Sequence, residues 1–210
     1  MRFADLDAVT VDGFGTLVTL IDPVPALDRA LRERGVERSA DTVRSAFAAE
    51  VAYYRPNAVS GSDVPGLAAL RLDCTRVFLS AAEAELEPES FVAAFMSSIV
   101  FEPVAGALET VAALRARGLE LAVVSNWDIG LAEQLERIGA ASLFTAIVTS
   151  AEAGSAKPGP AVFQLALDRL GVEPGRALHV GDEEEDEDGA RAAGMRFAPA
   201  PLATAFADWS

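Results

Sequence analysis

The sequence predicts an α/β fold: a parallel sheet covered by helices on both faces, three layers in all, with an α-helical domain inserted after the first strand. Three observations carry this. Ala8, Val9 and Val11, interrupted only by Thr10, form a short apolar run ended by Asp12 and Gly13, the pattern of a buried central strand. From about Pro103 onward, short apolar strands alternate with helical stretches, as in a sheet built of βαβ units. The roughly eighty residues between show three- and four-residue apolar spacing and no convincing strand. The expected domains are a core from residues 1–18 and 101–210, and a helical cap from residues 19–100.

In the inserted block, residues 25–34 are a helix candidate closed by Gly35. Ser39 can N-cap a second helix that runs through Phe47 to about Tyr54 and stops before Pro56. Residues 55–65 are rich in breakers and read as a loop. Residues 66–86 form a long helix with Leu67, Leu70, Cys74, Val77, Phe78 and Ala81 on one side, and Pro88 opens a further helix bearing Phe91, Phe95 and Ile99. In the second half, helices are expected over 105–117, 129–138, 158–170 and a short stretch to Ala193, and strands over 119–125, 146–149, 177–180 and 195–198. Residues 199–210 are either an edge or a tail.

Composition narrows the function. The chain is 51% hydrophobic with a mean hydropathy of +0.25, so a packed core is available. Its first residues are acidic where a signal peptide needs a basic and then an apolar segment, and no apolar run is long enough to span a bilayer, so a cytoplasmic protein is expected. A single cysteine, Cys74, rules out an internal disulfide and a cysteine-based zinc site. The net charge of −15 argues against nucleic acid and anionic membranes as partners. A small anionic substrate would need a metal ion or a local cation to reverse that field. The chain is expected to act as a monomer or homodimer.

Ligands in open parallel sheets bind beyond the carboxyl ends of the strands. Asp12 stands at the first such end, placed to be a nucleophile or a metal ligand, with Gly13, Gly15 and the Thr16 hydroxyl in the turn behind it. The second end offers Ser125 and Asn126, where the hydroxyl either seats an anion or caps the following helix. The third offers Lys157, before a proline-opened helix. The fourth offers Asp182, the first of seven consecutive acids, with Asp186 four residues on. Two carboxylates near Asp12 would make an oxygen-only site for a hard cation such as Mg²⁺; the remaining acids of the run are assigned to solvent. His179, the only histidine, lies inside an apolar strand and reads as a core residue bonded to a neighbour, which leaves no serine–histidine–aspartate triad.

Taken in order, Asp12-Gly-Phe-Gly-Thr16-Leu17, Ser125-Asn126, Lys157-Pro158 and Gly181-Asp182 with Asp186 before Gly189-Ala190 resemble the four motifs of the haloacid dehalogenase superfamily of hydrolases, over essentially the whole chain. The resemblance implies a Rossmann-like core with a C1-type helical cap. It implies Asp12 as a nucleophile that forms an aspartyl-enzyme intermediate, Thr16 and Ser125 (with Asn126) holding the transferring group, and Lys157 neutralising it. It also implies Mg²⁺ held by Asp12, the backbone carbonyl of Phe14, Asp182 and, in support, Asp186. One position departs from the pattern. Family phosphatases carry a second aspartate two residues after the nucleophile, as general acid and base; here that residue is Phe14, which cannot move a proton. The 2-haloacid dehalogenases have an aromatic there, but do without Mg²⁺ and without the Gly-Asp pair. The implied functions are a Mg²⁺-dependent phosphatase on a small phosphorylated metabolite, a dehalogenase-like hydrolase with Arg55 gripping a substrate carboxylate, or a catalytically impaired ligand-binding homologue.

Overall fold

The structure is a computed structural model and describes residues 3–206. The chain forms two compact units, Met1–Thr19 with Glu102–Ser210, and Leu20–Phe101. The chain passes between them through β2 (Val18–Leu20) and β3 (Phe101–Pro103), which pair as a two-stranded ribbon.

The first unit is a five-stranded sheet with β1 (Ala8–Val11) at its centre, flanked by β4 (Glu120–Ser125) and β6 (Ala177–Gly181), with β5 (Ala146–Thr149) and β7 (Arg196–Pro199) at the edges. All neighbouring pairs are parallel, and Ala8 stands level with both Glu120 and Ala177. Side chains alternate across a strand, so a sheet buried on both faces must be apolar throughout. Ala8, Ala122, Val124, Val148 and Ala177 pack with Val162, Phe163, Ala166 and Leu167 of α8 (Ala161–Leu170), while Val9, Val11, Leu121, Val123 and Leu178 between them are equally buried. The remaining helices of this unit are α5 (Ala107–Ala116), α6 (Leu131–Arg137), α7 (Ser150–Ala153) and α9 (Glu184–Ala192). After β1 the strands are laid down outward through β4 and β5 on one side, then through β6 and β7 on the other. The connections therefore part at the carboxyl end of β1, leaving a crevice where Asp12 lies.

The second unit holds α1 (Val24–Arg32), α2 (Ala40–Asn57), α3 (Val64–Ala81) and α4 (Pro88–Ser98). Leu27, Leu31, Val43, Ala46, Leu70 and Cys74 pack around Phe78, Phe91 and Phe95, with Phe78 stacked on Phe91 at 6.1 Å between ring centres. Ser39 caps α2 by accepting from the Thr42 N–H.

Four expectations need correction. Val18–Leu20 is a strand, not the beginning of the helical block. α2 runs through Pro56 to Asn57 and a 3₁₀ turn follows over Ala58–Ser60, so the expected loop shrinks to Gly61–Asp63. Pro56 lies in the last turn, where it deletes a single backbone hydrogen bond, and α2 packs along α3 there. Helix α6 starts at Leu131, and Asp128 turns the preceding loop by accepting from the Gly130 N–H at 2.7 Å. Helix α8 starts after Pro160 rather than at Pro158, leaving Lys157 in a short turn. Beyond β7, Leu202 is buried, and the last part of the expected tail, 207–210, lies outside the described residues. Among the described residues no helix is long and apolar enough to cross a membrane.

Candidate active site

The end of β1 turns back on itself through hydrogen bonds from the Leu17 and Val18 N–H groups to the Gly13 carbonyl and from the Gly15 N–H to the Val18 carbonyl. Two glycines make this geometry possible. Gly15 sits at φ +92°, and a Cβ there would lie 2.3 Å from Asp182 Oδ2. A Cβ on Gly13 would lie 2.7 Å from Ser125 Oγ. The turn is thus pressed against the ends of β4 and β6, which brings residues more than a hundred positions apart onto one rim.

Lys157 is the hub. Its Nζ lies 2.5 Å from Asp12 Oδ1 and 2.5 Å from Asp186 Oδ1, with the Val124 carbonyl at 3.4 Å. All three side chains are buried. Asp186 also accepts from the Glu183 N–H at 3.1 Å, closing a capping box at the start of α9. From the other side it accepts from His179 Nε2 at 3.0 Å. Since a carboxylate can only accept, Nε2 carries the proton, and Nδ1 of the neutral ring accepts from the Thr10 hydroxyl at 2.8 Å. Thr10 and His179 stand level on adjacent strands, and Phe163 meets the imidazole edge-on. The core reading of His179 is borne out, with two neighbours in place of one.

The charges follow from this packing. Burial pushes the Asp12 carboxyl up to about 7; Asp186 and Asp182 push the same way, and Lys157 opposes them. Burial also works against ionising Asp186, but His179 and Lys157 outweigh it and hold that carboxyl far below the usual range. Lys157 stays charged because the two carboxylates overcome its desolvation. Burial drives His179 down, which keeps it neutral.

At the exposed rim, Asp182 Oδ1 accepts from the Thr16 hydroxyl at 3.1 Å. Oxygens of Asp12, Asp182 and Asp186 all lie within 4.8 Å of one another, a group that can hold a metal ion. Ser125 Oγ reaches Asp12 Oδ1 at 3.5 Å, so the hydroxyl turns to the carboxylate and does not cap α6. Phe14 is 45% exposed. The structure thus gathers Asp12, Thr16, Ser125, Lys157, Asp182 and Asp186. Asn126 comes in differently from what was expected of a substrate ligand, because its amide is taken up by the Lys157 backbone and by Glu185. Arg55 is exposed near the end of α2, in the helical unit. The part that sequence reasoning missed is the Thr10–His179–Asp186 support; the signal for it was a lone polar pair inside two otherwise apolar strands.

The family model of the haloacid dehalogenase-like hydrolases matches residues 6–194. The chain belongs to this family. Among curated relatives it is similar to haloacid dehalogenase-like hydrolase domain-containing protein 3 of Bos taurus, 41% identical over 119 residues covering 54% of this chain and 47% of that protein. It is also similar to the glyceraldehyde 3-phosphate phosphatase of Methanopyrus kandleri, 40% identical over 96 residues, 45% of this chain and 41% of that one. The chain spans about half the length of the curated relatives it matches. Among solved structures, a haloacid dehalogenase-family phosphatase from Thermococcus onnurineus superposes with a TM-score of 0.61 at 25% identity, covering 91% of this chain and 85% of that one.

Proposed function

We propose that this chain is a hydrolase, a Mg²⁺-dependent phosphatase of a small phosphorylated metabolite, with Asp12 as nucleophile. The observation that carries the reading is the meeting of one buried ammonium with three carboxylates whose oxygens lie within 4.8 Å. A lysine alone leaves that cluster with a net negative charge, which would repel a phosphoryl group. An all-oxygen donor set of this charge suits a hard divalent cation. Asp12, Asp182 and, in support, Asp186 would hold Mg²⁺, with the Phe14 carbonyl as a further ligand. The ion would supply positive charge toward the transferring phosphoryl oxygens.

The rest is the work of the chain itself. An Asp12 oxygen attacks phosphorus, and the bond to the leaving oxygen breaks as the acyl-phosphate bond forms. Lys157 spreads its charge over the attacking carboxylate and the incoming anion, while Thr16 and Ser125 offer hydroxyls at the two flanks. Water then splits the acyl phosphate and returns Asp12 to its carboxylate. Phe14 has no proton to give, so substrates with weakly basic leaving groups are favoured.

The test is hydrolysis of p-nitrophenyl phosphate with Mg²⁺. Asp12→Asn or EDTA should each abolish it, and turnover that survives Asp12→Asn would end the reading. Restoring an acid with Phe14→Asp should raise kcat for alkyl phosphates by up to about 10²-fold, and by less for p-nitrophenyl phosphate. A second reading rests on Phe14 alone: a halide leaves without a proton, so a 2-halo acid would not miss the general acid. Release of chloride from 2-chloropropionate in EDTA would favour it.

A further inference from the structure

We propose that Asn126 is a positioning residue for Lys157, fixing the backbone from which the ammonium reaches Asp12, and is not a contact for substrate. The Lys157 N–H donates to Asn126 Oδ1 at 2.7 Å, and Asn126 Nδ2 donates to the Lys157 carbonyl at 3.2 Å. One primary amide thus holds both polar groups of a single residue 31 positions away. The orientation of that amide is fixed by chemistry: the N–H needs an acceptor, so Oδ1 faces it, and Nδ2 is left facing two acceptors, the carbonyl and Glu185 Oε2 at 3.1 Å. Glu185 therefore locks the flip of the amide. It comes from the acidic run that sequence reasoning gave to solvent.

The need for such a clamp is local. Lys157 sits between α7 and α8 in a turn that belongs to neither helix. Its side chain is buried between two carboxylates at 2.5 Å each, so a small backbone shift is passed directly to Nζ. A displacement on the order of 1 Å at a reacting group costs about 10²-fold in rate. Asparagine follows Ser125 at the end of β4, so the strand that carries one site hydroxyl also sets the lysine beside it. A side-chain amide presents a donor and an acceptor side by side at any pH; an ionised aspartate in its place would set a second carboxylate against the Lys157 carbonyl and against Glu185.

The experiment uses the fact that Lys157 is the only lysine of the chain, so labelling with [¹⁵N]lysine gives a single side-chain ammonium signal. In the wild-type protein that signal should exchange slowly with solvent. In Asn126→Ala it should exchange at least about tenfold faster, reporting local opening of the clamp. On p-nitrophenyl phosphate, the kinetic arm, which rests on the phosphatase reading, expects kcat to fall by roughly 10–100-fold with KM within about twofold. Asn126→Asp should be at least as damaging, and adding Glu185→Gln should recover part of both readouts, because the glutamine amide can donate to the new carboxylate. An unchanged lysine signal in Asn126→Ala, or a raised KM with kcat intact, overturns the proposal. If Asn126→Ala fails to fold, Asn126→Asp with and without Glu185→Gln decides it, and no recovery in the pair overturns it. A wild-type chain without phosphatase turnover defeats the functional reading and leaves the lysine signal to judge this one.

Discussion

Of the seventeen lysine and arginine residues in the chain, only Lys157 is a lysine, and it is the one that is buried against two carboxylates. The choice has a physical reason. An ammonium is a compact point charge that two carboxylate oxygens can approach from different directions, whereas a guanidinium is a planar fork that prefers to pair with one carboxylate edge to edge in its own plane. Lys157→Arg keeps the charge but cannot keep both 2.5 Å contacts in the same space. The expected result is a loss of about 10²-fold in kcat with the fold retained, read by p-nitrophenyl phosphate turnover and circular dichroism. Gly15→Ala tests the opposite flank. Its Cβ would fall on the Asp182 carboxylate at a φ of +92°, so Asp182 must leave the rim. The variant should lose its Mg²⁺ response, checked by titrating the ion calorimetrically, and an unaltered titration would show that Asp182 is not needed there. Asp12 and Asp182 were legible in the sequence because each directly follows a strand, and parallel strands deliver their ends to one rim; Lys157 was legible by its place before Pro158, although α7 stands between it and β5. The task of Asn126 was not legible, because it is performed on the backbone of a residue 31 places away, and a backbone leaves no mark in composition.

Single elements repeat this division between pattern and packing. The sheet strands were readable as apolar runs, and the helices of the second unit as three- and four-residue spacing. β2 and β3 have three residues each, too few for any period to show. α2 outran its proline because neighbouring helices reward its continuation more than one missing hydrogen bond costs. Within α2, Glu50 is 5% exposed, and burial pushes its carboxyl from 4.5 up to about 7, although a hydrogen bond to Cys74 opposes the shift. A raised folded value means that the folded state binds the proton more tightly than the unfolded chain does. Stability therefore falls as pH rises through the window from 4.5 to about 7, and the full penalty stands above it. Glu50→Gln removes the charge and keeps an acceptor for Cys74. Above pH ~7.5 the variant should be more stable by up to about 3 kcal/mol, and below pH ~4 the gain should vanish. Urea midpoints of the full chain at the two pH values measure this, and equal differences at both would show that Glu50 is not the titrating group.

At the scale of the whole molecule, the site works against the charge of its own protein. The net charge is −15, and the acids that build the rim continue into Glu183, Glu184 and Glu185 at the start of α9. On the phosphatase reading, a dianionic substrate would have to cross that field before Lys157 and a bound cation could hold it. The long-range part of the repulsion is screened by salt, while the contacts at the rim are too short to be screened. Raising ionic strength from about 0.01 M to about 0.15 M shortens the screening length from roughly 30 Å to roughly 8 Å, less than the width of the domain. The proposed phosphatase should then show a KM for p-nitrophenyl phosphate that falls by about two- to threefold over this range at saturating Mg²⁺, with kcat unchanged. This direction is the reverse of that expected of an enzyme with a positively charged funnel, in which salt raises KM. A KM that rises with salt would mean that the local cations set the field well beyond the rim, and that the surface charge of −15 has no part in governing encounter.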